Sequence, residues 1–384
     1  MAALELRDVT KRFGRVTAMN RVSFTAREGG FFVLLGAPGA GKSTTINVIC
    51  GIEKPDAGRI SLGGRDITQE FAQTRDIATA FENYALYPHM TVFENLLFPL
   101  EAPIRRREMP RSERERRVKE IAEMLGIGEL LQRHPRELSG GQRQRVALGR
   151  TLIRRPKLYL LDEPIAHLDA KLRHRMRSEL KKIQQEFGIT AVYATPDQLE
   201  ALSMADTIAV LHKGVIEQVG KPDDIYYRPA NVYVAGFISD PPMNILPAEL
   251  RDDSLDLAWG APFRIPLGVR ERRALREKAA DHRLNVGVRP VDITLVSSSD
   301  SRAQLRGEVI LMDTLGQTAI VTVRIGSNTL KAKVSSDNLP EQRHAVGLSL
   351  SAERMYFFDA STGRRIHGGE MTAGSGEGSG GSQR

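Results

Sequence analysis

The apolar positions of the chain change their spacing along its length. From Leu4 to about Gly236, short apolar runs alternate with segments of helical length. The strand candidates are residues 31–35, 158–161, 190–194 and 207–211. Between Thr91 and Arg154 the apolar residues fall at helical spacing, as at 118, 121, 122 and 125. This pattern predicts an α/β core with a largely parallel sheet and a helical subdomain, about 88–155, inserted into it.

After residue 236 the apolar runs become short, β-branched and separated by Gly, Asn or Asp. They are LNVGVRPVDITLV, LRGEVILMDTLG, TAIVTVRIG, NTLKAKV and GLSLSAERMYFF. Short runs between turn residues predict strands. We therefore expect two domains, 1–236 and 237–367, the second an all-β small barrel. The Gly/Ser-rich residues 368–384 predict a flexible tail.

Composition narrows the class of protein. The 384 residues are 41% hydrophobic and 27% charged, which are ordinary globular values. The single cysteine, Cys50, excludes a disulfide framework within the chain and fits a reducing cytosol. The first residues lack the layout of a signal peptide, and no apolar run approaches the ~18 residues of a membrane span. We expect a soluble protein that reaches any membrane through a partner.

The net charge of +8 is spread along the chain. The densest basic stretch, 103–117, interleaves its arginines with Glu108, Glu113 and Glu115. Mixed charge of this kind favours a solvated helix face over a nucleic-acid site. We therefore expect no nucleic-acid partner.

The run FFVLLGAPGAGKSTT carries the most specific pattern in the sequence. An apolar strand runs into Gly-x-x-x-x-Gly-Lys-Ser, which then opens a helix. In such a loop, backbone N–H groups face phosphate oxygens, Lys42 reaches the β and γ phosphates, and Ser43 ligates Mg²⁺. The predicted nucleotide-binding residues are Gly36, Ala37, Pro38, Gly39, Ala40, Gly41, Lys42, Ser43 and Thr44.

Two further motifs add the chemistry of hydrolysis. LYLLDEP is an apolar strand that ends in Asp162, placed to hold Mg²⁺ through water, and Glu163, placed to polarise an attacking water as general base. In RELSGGQRQR, Ser139 is a natural helix N-cap, and the glycines after it expose N–H groups that form a second anion site. That site suits a nucleotide bound by another chain.

Together these motifs are similar to those of the nucleotide-binding subunits of ABC transporters. LSGGQ resembles the family's signature, GAPGAGKST its Walker A loop, LYLLDEP its Walker B strand and AHLDAKLR its D-loop. Phe13, in KRFG, occupies the position where the family stacks an aromatic ring on adenine. The stretches ENYALYPHMTVFENL, GFISDPPMNIL and GVRPVDI resemble the sugar and polyol importer branch, of maltose and glycerol-phosphate type.

The resemblance implies a P-loop ATPase that uses ATP and Mg²⁺ at the cytoplasmic face of the inner membrane. A pair of such subunits would lie beneath two permeases, with an extracytoplasmic solute-binding protein acting indirectly and an OB-like regulatory domain at the C-terminus. Residues 81–98 would form the Q-loop and a groove for a permease helix, where Tyr84 and Tyr87 either pack internally or contact the permease. The residues implied for the partner's ATP are Ser139, Gly140, Gly141, Gln142 and Asp169.

Two positions depart from the family pattern. Glu82 replaces the Q-loop glutamine; its carboxylate still ligates Mg²⁺ but adds negative charge near the phosphates. Pro196 replaces the histidine that contacts the γ-phosphate, and losing one such donor typically costs ~10²–10³ in rate. His167, where the family usually has asparagine, either compensates or acts across the dimer interface. We predict a chain that binds ATP well, hydrolyses it poorly at its own site and forms the weakened half of a heterodimeric pair.

Three alternatives remain. A slow homodimer of the same importer class needs no second gene product. A soluble ABC ATPase acting on nucleic acid or ribosomes predicts fused nucleotide domains or a long coiled-coil insertion, and the sequence has neither. A non-enzymatic regulator would use the nucleotide only as a switch, which the retained Glu163 argues against. The sequence does not name the transported solute.

Overall fold

The chain folds into two units, Met1–Pro222 and Asp223–Arg384, in the computed structural model of the protein. The structure describes residues 2–80, 86–102, 109–154, 156–166, 168–251, 254–257, 264–266, 275–277, 283–340 and 343–368. Within these ranges no helix is long and apolar enough to cross a membrane.

A six-stranded sheet forms the centre of the first unit, in the order β10-β9-β3-β8-β7-β6. Its strands are β3 (Phe31–Leu35), β6 (Ile77–Ala80), β7 (Leu158–Asp162), β8 (Ala191–Thr195), β9 (Thr207–His212) and β10 (Val215–Gly220). The first five are parallel, and β10 runs antiparallel to β9. Every residue of β3, β7 and β8 is buried, which explains why these strands are continuous apolar runs. The predicted parallel sheet is confirmed.

A second, antiparallel sheet of the first unit has the order β2-β1-β4-β5. Its strands are β1 (Ala2–Phe13), β2 (Val16–Arg27), β4 (Ala57–Leu62) and β5 (Arg65–Asp66). The two sheets share one apolar core with the first helix, in which the rings of Phe24 and Phe32 stack at 4.6 Å.

The helices of the first unit are α1 (Lys42–Cys50), α2 (Val92–Leu97), α3 (Arg111–Met124), α4 (Gly140–Leu152), α5 (Ala170–Phe187) and α6 (Gln198–Met204). Short 3₁₀ turns cover Ala72–Thr74, Phe98–Leu100, Gly128–Leu130 and Pro135–Glu137. The chain segment that connects β6 to β7 contains helices α2, α3 and α4. These helices pack on one another, as expected for an inserted helical region. Gly149 allows that contact, because a Cβ there would lie 2.7 Å from Leu96 Cδ2.

The second unit is almost entirely β. Helices α7 (Pro222–Tyr227) and α8 (Val232–Phe237) precede two antiparallel sheets, of order β13-β12-β11-β14-β20-β21 and β15-β19-β16-β17-β18. The strands are β11 (Asn244–Arg251), β12 (Ser254–Leu257), β13 (Arg264–Pro266), β14 (Arg283–Val288), β15 (Ile293–Ser297), β16 (Leu305–Leu315), β17 (Thr318–Ile325), β18 (Asn328–Ser335), β19 (Ala345–Leu350), β20 (Tyr356–Asp359) and β21 (Arg365–Gly368). One apolar core joins both sheets, and the all-β prediction is confirmed.

The division between the units lies earlier than the sequence predicts. Residues 223–236, expected to close the first domain, group with the second unit. Ala235 of α8 packs with Tyr356 and Phe358 in a small apolar cluster, and Asn231 forms a β-bridge with Arg364. Such contacts are long-range, so the change of sequence texture at residue 236 does not mark them. The predicted tail lies outside the described residues from residue 369 on.

Candidate functional site

The candidate residues for phosphate chemistry lie where three neighbouring parallel strands end. Leu35 of β3 pairs with Thr195 of β8, and Asp162 of β7 pairs with Ala194 of the same strand. The carboxyl ends of β3, β8 and β7 therefore meet at one edge of the sheet. Ligands of open α/β sheets bind at this edge.

The loop that follows β3 is held close to two other strands. A Cβ on Gly36 would lie 2.5 Å from the Leu211 carbonyl oxygen, and one on Gly41 would lie 2.4 Å from the Ala18 carbonyl oxygen. Gly41 also has a φ of 105°, which disfavours any other residue. Glycine at these two positions therefore allows the loop to pass close to the backbones of β9 and β2.

The first turn of α1 is open toward this loop. Gly41 is the N-cap of α1. It has no side chain, so no capping side chain accepts a hydrogen bond from the first amides of the helix. Ser43 lies in that turn and is exposed. An uncapped helix N-terminus that follows a glycine loop is suited to bind phosphate.

The side chain of Lys42 joins the loop to the acidic strand. It is only 4% exposed, and its ammonium donates to the carbonyl oxygens of Gly36 at 2.9 Å and Ala37 at 3.3 Å. Its Nζ also lies 3.3 Å from Glu163 Oε1. Phosphate oxygens are stronger acceptors for an ammonium group than carbonyl oxygens are, so this charge is placed for an anionic ligand.

Glu163 follows β7 in an unusual backbone conformation. Its φ is 46°, in the left-handed region that non-glycine residues seldom adopt. The strand beside it fixes this turn, since Glu163 N–H donates to the Ala194 carbonyl at 3.0 Å. Asp162, one residue earlier, is 6% exposed and ends the buried strand. Glu163 therefore lies next to the phosphate loop, and Asp162 ends the strand that precedes it.

Phe13 is an exposed aromatic side chain near the turn between β1 and β2. The residue is 46% exposed, and Lys11 Nζ lies 5.0 Å from the centroid of its ring. Strand β2 continues from this turn to Ala18, whose carbonyl faces the phosphate loop at Gly41. An exposed ring in this place fits the predicted adenine platform, which stays a prediction.

The LSGGQ motif lies at a different part of the unit. Ser139 and Gln142 form a reciprocal cap of α4, with Oγ accepting from Gln142 N at 3.3 Å and Oε1 accepting from Ser139 N at 2.8 Å. Helix α4 packs on β6, the edge strand, which lies three strand spacings or roughly 14 Å from β3.

The D-loop residue Asp169 lies beside that motif. It caps α5 by accepting from Leu172 N at 2.9 Å. Its neighbour Leu168 has a methyl carbon 3.3 Å from the position that a Cβ on Gly141 would take. The structure thus brings together the two motifs that the sequence predicts for a partner's ATP.

Of the positions that depart from the family pattern, the structure describes only Pro196. This residue is partly buried and follows the last residue of β8. It has neither a side-chain donor nor a backbone N–H. Glu82 and His167 lie outside the described residues.

A polar network around Asn95 is a feature that the sequence does not predict. Asn95 is fully buried, accepts from Tyr87 N at 2.9 Å and donates to the carbonyl oxygens of Tyr87, Met90 and Thr91. The Tyr87 ring lies 4.6 Å from that of Phe98 and 4.5 Å from the Arg150 guanidinium, whose pKa is lowered by burial. Tyr87 therefore has packing contacts within the unit and is partly exposed, so contact with a permease stays a prediction, and Tyr84 lies outside the described residues. An arginine within the apolar run VALGRTL was the only signal for this contact.

Arg75 is a second residue that the sequence analysis missed. It is 1% exposed, and its guanidinium donates to the carbonyl oxygens of Val48 and Ile49 at the end of α1. Burial lowers the pKa of Arg75. This contact anchors the helix that begins at the phosphate loop, and nothing in the local sequence marks it.

Comparison with known proteins agrees with the family resemblance of the sequence motifs. Residues 19–166 match the family model for ABC transporters, and 286–358 match that of the TOBE domain. The trehalose/maltose import ATP-binding protein of Thermococcus litoralis is 43% identical over 377 residues, covering 95% of this chain and 100% of that protein. The sn-glycerol-3-phosphate import ATP-binding protein of Cereibacter sphaeroides is 40% identical over 367 residues, covering 95% and 100%. A solved dimeric ATP-binding cassette in a post-hydrolysis state, bound to ADP and Pi, is 32% identical with a TM-score of 0.53, covering 57% of this chain and 98% of that one.

Proposed function

Because the chain belongs to the ABC transporter family and carries its ATPase domain, we propose that it is the ATP-binding subunit of an importer for a sugar, polyol or glycerol-type solute. The observation that best supports this proposal is the contact of 3.3 Å between Lys42 Nζ and Glu163 Oε1. This contact supports the proposal, because the candidate phosphate-binding cation and the candidate general base meet at one point of the sheet edge. A terminal phosphate and its attacking water need both groups there.

ATP would be held by the residues that converge on this edge. Phe13 would stack on adenine, the loop 36–44 would surround the phosphates, and Lys42 would exchange its carbonyl contacts for phosphate oxygens. Glu163 would accept the proton of the attacking water.

Mg²⁺ fits the donor set at the same place. Ser43 in the first turn of α1 and Asp162 at the end of β7 offer the hard oxygen ligands that this ion prefers. No group of three or more acidic, histidine or cysteine side chains forms a metal site among the described residues. A nucleotide-bound Mg²⁺ needs only one or two protein ligands besides phosphates and water, and Glu82 would be a further one. When bound, the ion neutralises phosphate charge.

The names of the relatives support an importer. One is a trehalose/maltose import protein and another an sn-glycerol-3-phosphate import protein. By that likeness the chain would work at the cytoplasmic face of the membrane with two permeases and, indirectly, a solute-binding protein. No nucleic-acid role is proposed, because in the described part of the basic stretch Arg111 pairs with Glu115 at 2.8 Å and Arg116 with Glu113 at 2.7 Å.

The second nucleotide-binding subunit would be a different chain. Pro196 weakens only this chain's own site, whereas the capped signature helix that would serve the partner's ATP keeps its motif. A homodimer would repeat the weak site twice, and a loss of ~3–4 kcal/mol of transition-state stabilisation would slow both. A slow homodimer is the competing proposal.

The test is to purify the transporter with its permeases and identify its nucleotide-binding subunits by mass spectrometry. ATP hydrolysis is then compared for Ser139→Arg and Glu163→Gln. We expect a second ATPase chain, a large loss for Ser139→Arg and a small one for Glu163→Gln. Two copies of this chain alone, with Glu163→Gln abolishing turnover, would contradict the heterodimer.

A further inference from the structure

A buried carboxylate lies beneath the loop that carries Pro196. Glu200, in the first turn of α6, is 4% exposed. Its Oε2 accepts a hydrogen bond from the Tyr193 hydroxyl at 2.8 Å and one from the Thr195 hydroxyl at 2.6 Å. Burial of an ionisable group is unfavourable unless donors compensate, and burial raises the pKa of Glu200.

The two donors lead to different parts of the molecule. Tyr193 is fully buried, and its ring packs on that of Phe31 with centroids 5.7 Å apart. The hydrogen bond from its hydroxyl therefore connects Glu200 only to the core. Thr195 leads to the site instead. Its Oγ accepts from Asp197 N at 3.0 Å, and its carbonyl accepts from Gly36 N at 3.3 Å.

This arrangement uses the single donor and one of the two acceptor positions of the Thr195 hydroxyl. Thr195 Oγ donates to Glu200 and accepts from Asp197, so the carboxylate fixes the direction of the hydroxyl and the hydroxyl fixes the amide that follows Pro196. Both hydroxyls compensate the burial of the carboxylate, and only the Thr195 hydroxyl continues to the loop after β8.

We propose that Glu200 is a positioning residue for the nucleotide site, which fixes the loop at residue 196 through the Thr195 hydroxyl, next to the first glycine of the phosphate loop, whose N–H donates to the Thr195 carbonyl. Glu200 touches neither nucleotide nor water in this role. The effect on hydrolysis rests on the proposed ATPase function of this site, whereas the hydrogen-bond chain does not.

The first test measures amide exchange residue by residue, by NMR on the full-length protein. Thr195→Val keeps the side-chain shape and removes the hydroxyl, and Glu200→Gln keeps the shape and weakens the acceptor. We expect exchange at Asp197 to become about fivefold to tenfold faster in both. Thr195→Ser, which retains the hydroxyl, should restore the wild-type rate.

The matched control is Tyr193→Phe, which removes the other donor to the same carboxylate. It should lower overall stability but leave exchange at Asp197 within about twofold of wild type. If Glu200→Gln leaves Asp197 unchanged, or if Tyr193→Phe accelerates it as much as Thr195→Val does, the role is only structural and the proposal is overturned. Should Thr195→Val fail to fold, the comparison of Glu200→Gln with Tyr193→Phe decides alone.

The second test measures ATP hydrolysis in the same variants, with and without Pro196→His. Because misplacement of a catalytic donor lowers kcat, we expect Thr195→Val and Glu200→Gln to lower it about tenfold in the Pro196→His background, where residue 196 carries a donor, with little change in KM. Tyr193→Phe should not. A failure of Pro196→His to raise activity in the wild-type background would count against the proposed weakness of the site, and the exchange result would still decide the role of Glu200.

Discussion

Replacing Pro196 with histidine is the most direct perturbation of the proposed weak site. Proline supplies no hydrogen-bond donor at the end of β8, and a histidine ring supplies one. We expect the full-length protein carrying Pro196→His to hydrolyse ATP faster than wild type. The backbone already suits the change, since Thr195 and Asp197 are held by bonds to Glu200 and to each other.

The size of the gain follows from the surroundings of the residue. One preorganised donor to a developing charge is worth about 10²–10³ in rate. Residue 196 is partly exposed, so solvent screens part of that effect. We therefore expect an increase of about 10- to 100-fold. Release of the proline constraint costs only ~0.4–1 kcal/mol of stability, which is small against the 5–15 kcal/mol of a typical domain.

The assay is steady-state release of phosphate at saturating ATP and Mg²⁺, with stability followed by urea unfolding. Pro196→Ala is the matched control, because it removes the proline constraint without adding a donor. Pro196→His combined with Lys42→Ala gives the background from contaminating ATPases.

The comparison of the histidine and alanine variants decides the matter. If both hydrolyse ATP at the same rate and both fold as wild type does, a donor at residue 196 does not limit this site. The explanation of weak hydrolysis by Pro196 would then be refuted.

Four further outcomes are expected. Lys42→Ala should weaken ATP binding by roughly 1.5–3 kcal/mol, since it removes a charge-assisted contact, and equal titrations of labelled ATP for both proteins would contradict this. A chain ended after Pro222 should stay folded by circular dichroism and bind ATP, because the phosphate site belongs wholly to the first unit; a folded product without binding would refute that. Gly149→Ala should lower the free energy of unfolding by about 1–3 kcal/mol in urea, since its Cβ would lie 2.7 Å from Leu96 Cδ2. Asp359, whose pKa is lowered to about 2 chiefly by the Ser361 hydroxyl, should titrate by NMR near that value, so the stability it contributes is present above its unfolded pKa and is lost as pH falls toward about 2.

The sequence by itself determined the local features of this protein. Apolar runs such as 31–35 and 158–162 specify buried strands, because a strand covered on both faces needs no polar alternation. Gly36 and Gly41 specify the phosphate loop through their spacing from each other and from Lys42 and Ser43. Ser139 specifies a helix start, since its cap needs only a partner three residues away. These features depend on neighbours in sequence, which a single sequence displays.

The tertiary structure decided which of these features meet. The order β3-β8-β7 brings Lys42 within 3.3 Å of Glu163, a direct contact that the motifs place at one nucleotide but that their separation along the chain does not give. The same packing buries Glu200 under two hydroxyls and Arg75 at the end of α1, although acidic and basic residues in a sequence normally indicate surface. Strand order and the burial of single charges depend on contacts between distant segments. These contacts contribute free energy only when the chain is folded. The pattern of apolar and polar residues in one sequence therefore does not reveal which of them form.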